Sequence, residues 1–142
     1  MRRRAARLAA AMSLALPAAA AAAWSVIAAS GDYFLEFDPD LVREQSGYTM
    51  AWTRLTFTQP RAAEDSGAKH QSQLQLHAID CRASASTIVG VVLYSGAVGS
   101  GEVVDRTTRP RSEWEPRAAL AGSLGEATIL AACAQVERRG PK

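Results

Sequence analysis

Leu74-Gln75-Leu76-His77-Ala78-Ile79-Asp80-Cys81 is the stretch from which the rest of the chain can be read. Leu74, Leu76 and Ala78 alternate with Gln73, Gln75 and His77, the period of two that marks a half-buried β-strand. The strand ends on Cys81, and the only other cysteine, Cys133, lies in an apolar segment near the C-terminus. Two cysteines in an exported chain are expected to pair. A Cys81–Cys133 bond closes a loop of about 53 residues, which the chain-entropy model values at about 4 kcal/mol.

Export is read from the other end. Arg2, Arg3, Arg4 and Arg7 form a positive n-region, residues 8–16 a short apolar core closed by Pro17, and residues 18–23 a run of alanine suited to cleavage. This is the pattern of a secretory signal peptide over residues 1–23, with the mature chain beginning at Ala23 or Trp24. The apolar run is alanine-rich and broken by proline, so no stable membrane span is expected after cleavage. At 142 residues the chain holds one domain. Residues 24–136 are assigned to it and residues 137–142 to a disordered tail.

Cleavage also reverses the charge. Of 16 basic and 14 acidic residues, four arginines leave with the leader, so the mature domain carries 12 against 14 and a net charge of −2. Nothing in that balance calls for nucleic acid or an anionic lipid surface. Arg106, Arg109, Arg111 and Arg117 cluster locally, but Asp105, Glu113 and Glu115 are interleaved, which reads as a solvated polar segment.

Along the chain, Trp24-Ser25-Val26-Ile27-Ala28-Ala29 and Tyr33-Phe34-Leu35-Glu36-Phe37 read as strands separated by a Gly31-Asp32 turn. A short extended or helical piece covers residues 41–44, and Ser46-Gly47 turns the chain into a long strand over residues 48–57. Residues 58–71 shift to polar and small types and are expected to form an exposed loop. After the strand to Cys81, the β-branched run 87–94 reads as a strand buried on both faces, residues 95–101 as a flexible connection, and residues 102–105 as a returning strand. The end of the chain changes period: Ser123 with Glu126 fits a capping box, predicting a helix over residues 124–135. Its stripes Ala127, Leu130, Ala134 and Ile129, Cys133, Val136 are both apolar, so it should lie against the sheet. The fold class is α+β: a single antiparallel sheet of five or six strands, with a C-terminal helix packed on it and disulfide-linked to a strand.

Chemistry is sparse. His70 and His77 are the only histidines and lie about 23 Å apart on an extended strand, too far for shared zinc ligation. His77 with Asp80 lacks a serine framed by a nucleophile elbow, and strand spacing turns the two side chains to opposite faces. Glu113 and Glu115 flank Trp114 about 6 to 7 Å apart, but on one segment rather than across a sugar cleft. The glycines of residues 96–101 precede a strand, without the helix N-terminus a phosphate needs. The reading therefore assigns no catalytic, cofactor-binding or metal-ligating residue, and no enzyme activity; Cys81 and Cys133 are assigned as a structural disulfide.

The order of several features resembles the bacterial surface-adhesin protein E family. They are Trp24, Tyr33-Phe34-Leu35-Glu36-Phe37-Asp38, Tyr48-Thr49-Met50-Ala51-Trp52-Thr53-Arg54, Pro60, Ile79-Asp80-Cys81, Tyr94-Ser95-Gly96, Trp114, and Ser123 ten residues before Cys133. The resemblance covers the mature chain from Trp24 to Cys133 and implies one antiparallel sheet with the helix tied to it by the disulfide. It also implies a role at the cell envelope, where family adhesins bind host matrix proteins such as vitronectin and laminin. This chain carries no cysteine near the cleavage region for a lipid anchor. The expected role is an adhesin-like module at the cell surface, contacting a protein partner (extracellular matrix protein or envelope component) through a free sheet edge and residues 58–71. The alternative is a periplasmic structural or accessory protein, and the same edge could instead make a homodimer.

Overall fold

The computed structural model describes residues 23–141. Residues 1–22, and with them nearly all of the expected signal peptide, fall outside the described residues, as does Lys142. Eight strands form one antiparallel sheet: β1 (Ser25–Ala29), β2 (Tyr33–Phe37), β3 (Arg43–Gln45), β4 (Tyr48–Ala62), β5 (Lys69–Asp80), β6 (Ala85–Tyr94), β7 (Val103–Thr108) and β8 (Arg117–Ala118). A C-terminal helix, α1 (Leu124–Arg139), completes the domain.

The main path runs β1-β2-β4-β5-β6-β7, with β3 paired to β4 and β8 to β6. The count of eight corrects the expected five or six, and the difference is β3 and β8. Both are two or three exposed residues long, so neither has an apolar alternation to be read. They exist by backbone pairing alone: Gln45 opposes Tyr48 across a Ser46-Gly47 turn with both φ positive (54° and 81°), and Ala118 opposes Ala85.

The expected loop over residues 58–71 is mostly strand. β4 and β5 pair from Thr49 with Ile79 to Thr56 with Ser72, shift register, and pair again at Arg61 with His70 and Ala62 with Lys69. A two-stranded ribbon needs no buried face to satisfy its backbone, which is why polar composition misled. The bend at the register shift folds Phe57 onto His70 (ring centroids 5.8 Å apart) and under the Arg61 guanidinium (4.3 Å). Only the hairpin tip remains a turn, closed by Gly67 N–H donating to Ala63 O at 2.8 Å.

The helix covers the opposite face of β5 from the one the alternation suggests. Phe37, Ala51 and Ile79 meet Ile129 and Ala132 in the main core. His77, opposite Ala51, lies on this face and is only 4 % exposed, whereas Leu74 and Leu76 on the other face are half-buried. Ala51, Thr53 and Ala132 are fully buried, and their small side chains let the helix lie close over the histidine. The second face is closed around Met50, Ala78 and Val89 by Trp114, whose ring meets Tyr48 edge-on at 5.8 Å. Arg111, though exposed, stacks on both rings (4.5 and 4.8 Å) and donates to Ser46 O at 2.7 Å, so it clamps this segment from the surface.

α1 begins as expected and ends later. Glu126 N–H donates to Ser123 Oγ at 3.2 Å, while the Glu126 carboxylate accepts from Gly122 N–H at 3.2 Å. Residues 137–139, expected in a disordered tail, form the last helical turn, and Arg139 donates to Val42 O (2.6 Å) and Pro39 O (2.9 Å). Only one of the two apolar stripes faces the sheet: Ile129, Cys133 and Val136 pack inward, while Leu130 is 64 % exposed. Cys81 and Cys133 are bonded, with Cα atoms 5.7 Å apart, joining the end of β5 to the third turn of the helix.

Candidate binding surface

The helix crosses only part of its face of the sheet. β6, expected to be buried on both faces, is left partly open where the helix does not reach. Ile88 is 38 % exposed and Val91 half-buried, while Leu93 is buried at the base. These three oppose His77, Gln75 and Gln73, so all of them stand on the helix side of the sheet. The β4–β5 hairpin tip bends back over this open end, and Ser66 Oγ donates to Asp105 Oδ2 of β7 at 3.5 Å. Between the tip and β6–β7 lies a cavity of about 290 Å³, lined by Ala63, Glu64 and Asp65 on one side and Asp105, Thr107 and Arg109 on the other. A second cavity of about 300 Å³ shares Ile88 and runs on under the start of α1, past Gln75, His77 and Thr128.

The two outer edges of the sheet differ in chemistry. Arg109 N–H donates to Val89 O at 2.9 Å, so alternation turns the backbone of Asp105 and Thr107 toward β6 and that of Arg106 and Thr108 outward. Arg106 N–H is already taken by Asp105 Oδ1 at 2.8 Å. A capped donor, flanking charges and Pro110 blunt this edge against strand addition. β1 has no charged side chain at all; its register shifts between Val26 and Ala28, and Val26 is 59 % exposed.

The residues weighed for catalysis are dispersed into structural roles. His77 shares a 2.8 Å hydrogen bond between Nε2 and Thr53 Oγ1, and burial lowers its pKa to about 4. Asp80 turns away and accepts the backbone N–H groups of Arg82 (3.0 Å) and Ala83 (3.1 Å). His70 lies against Phe57, and its Nδ1 is 3.2 Å from Ala68 O. Glu113 and Glu115 are exposed on either side of the inward Trp114. In the connection over residues 95–101, Ser72 Oγ donates to Gly96 O (2.6 Å) and accepts from Gly99 N–H (2.8 Å), so this turn is held to the sheet. Among the described residues, no group of three or more His, Cys, Asp or Glu is placed to hold a metal ion.

What sequence reasoning missed is the open end itself. Ser66 and Asp105 are 39 residues apart, and no local pattern brings Glu64 and Asp65 to β7. Only the unusual polarity of residues 58–71 pointed to this part of the chain.

The family model described as surface-adhesin protein E matches residues 24–134, from the first tryptophan of β1's approach to the residue after the helix cysteine. The chain belongs to the surface-adhesin protein E family. Membership implies an adhesin-like role at the cell surface. Among solved structures, the chain is similar to the crystal structure of protein E from non-typeable Haemophilus influenzae. The two share 11 % sequence identity and a TM-score of 0.48, over 88 % of this chain and 95 % of that one. No curated protein matches the chain. In this family member no helix among the described residues is long and apolar enough to cross a membrane.

Proposed function

We propose that this surface-adhesin E domain is an exported, non-catalytic binding module of the bacterial cell envelope. It contacts a protein partner with the end of the sheet where the hairpin tip meets β6 and β7. The observation that carries this reading is the apolar strip of Ile88 and Val91, left partly open beside the hairpin tip on the face of the sheet that the helix otherwise packs against. An open apolar strip with a polar rim is the usual mark of an interaction site. Host matrix proteins and envelope components are the partner classes that fit.

The alternative is a periplasmic accessory protein using the same surface. Protease applied to intact cells separates the two. Digestion at the cell surface supports the adhesin-like role. Full protection, with release by osmotic shock, removes it and leaves the periplasmic role.

A homodimer is favoured by one observation, the uncharged β1 edge with Val26 exposed. Pairing of two β1 strands about a two-fold axis brings the same residues together from both copies. Val26→Lys should then convert dimer to monomer in sedimentation velocity, with the folded monomer's far-UV spectrum unchanged. A wild-type chain that sediments as a monomer at all concentrations rules the dimer out.

A further inference from the structure

We propose that the groove under the hairpin tip takes an extended peptide segment of the partner in which a basic residue is followed by aliphatic ones. This rests on the reading that the domain binds a protein, and it names the chemistry of the bound segment. The charge at the groove's mouth is the first argument. Glu64, Asp65 and Asp105 line it against one cation, Arg109. Among the described residues none of these three carboxylates has an ion-pair partner, unlike Glu36 with Arg54 and Glu115 with Arg117. Asp105 is held in place by Arg106 N–H and Ser66 Oγ, which orient it without neutralising it. A lysine or arginine entering here meets an excess of negative charge (three carboxylates to one guanidinium).

The floor supplies the second argument. Ile88, Val91 and Leu93 give an aliphatic strip along β6, and the two cavities of about 290 and 300 Å³ join at Ile88. An extended chain advances about 3.3 Å per residue, so a few residues span this track. Its far end lies at Leu124 and Gly125, the N-terminus of a helix of 16 residues, where a second cation is disfavoured by the helix dipole. The basic residue therefore belongs at the hairpin end and the aliphatic ones over β6. Recognition runs through side chains in the groove, because the Arg106 N–H that a strand would use on β7 is occupied.

The test uses the oxidised mature chain to select from a display library of random linear decapeptides. The expected result is enrichment of peptides with Lys or Arg next to two or more aliphatic residues. A fluorescein-labelled copy of an enriched peptide should bind at least tenfold more weakly to the double variant Glu64→Gln/Asp65→Asn. Both positions are exposed on the tip, so folding is not at risk. Ile88→Ser should weaken the same peptide while leaving the unfolding midpoint within a few degrees. Enrichment of acidic peptides, no enrichment, or basic peptides that bind the double variant as well as wild type would each overturn the groove assignment. The last of these leaves the protein-binding role intact, because the peptide then binds another surface. An adduct from the tip in cells, argued below, decides that broader role independently.

Discussion

Replacing Cys81 and Cys133 together by serine lowers the stability of the domain by about 4 kcal/mol, measured as the shift in urea unfolding of the oxidised wild type. The size follows from where the bond sits. The bridged residues are 52 apart in sequence, so cutting the link restores a large loop to the unfolded chain. Besides the bond, partly buried Leu124 and Val136 and the Arg139 hydrogen bonds to Val42 O and Pro39 O hold the helix, and its fully buried residues are Thr128, Ile129 and Ala132. Ile129 is the one large apolar side chain among them, worth about 2 to 3 kcal/mol when buried. The loss should therefore be felt first by α1. Hydrogen exchange should accelerate at Ile129 and Ala132 before it accelerates at Ala51 and Ile79. Equal midpoints for wild type and variant would mean that packing, not the bond, fixes the helix.

Acid should destabilise the domain through His77. The imidazole is buried between β5 and the helix, and its pKa falls from 6.5 to about 4 because burial disfavours the charged ring. Between those two values the unfolded chain holds the proton and the folded one does not. Stability is therefore full above about pH 6.5 and declines as the pH falls toward 4, by about 1.4 kcal/mol per pH unit and about 3 kcal/mol in all. His77→Gln keeps a polar partner for Thr53 Oγ1 and removes the titration. The wild-type stability curve minus that of the variant should show this slope between pH 4 and 6.5 and none above it. Parallel curves would show that the ring is solvated or charged in the folded protein.

Much of this architecture can be read from the residues, and the failures have physical causes. Strand β5 ends on a cysteine, Ser123 and Glu126 cap a helix, and Tyr48 to Phe57 form a core strand; each is a local pattern of side chains or caps. The alternation of β5 marks a strand but not its buried face. The helix docks on small residues, Ala51 and Thr53, which carry no strong hydrophobic signal, and it buries His77 in place of Leu76. The distal hairpin, β3 and β8 are held by backbone pairing, to which composition is blind. Arg111 is exposed, as its polar surroundings in sequence suggest, but the rings it stacks on, Tyr48 and Trp114, come from elements far apart in the chain, so that contact is not legible locally. The groove belongs to the same class. Its floor is a β-branched run that reads as buried, and its acidic rim sits on a tip that only the bend in β4 brings near β7.

Photo-crosslinking in the native cell asks the central question most directly, whether the open end of the sheet is where this domain meets another protein. A crosslinking amino acid placed at Asp65 on the hairpin tip is compared with one at Leu130, exposed on the outer side of the helix. The account predicts a discrete adduct of higher mass from position 65 and none from position 130. Adducts from position 130 with none from position 65 would move the interface to the outer surface of the helix and contradict it.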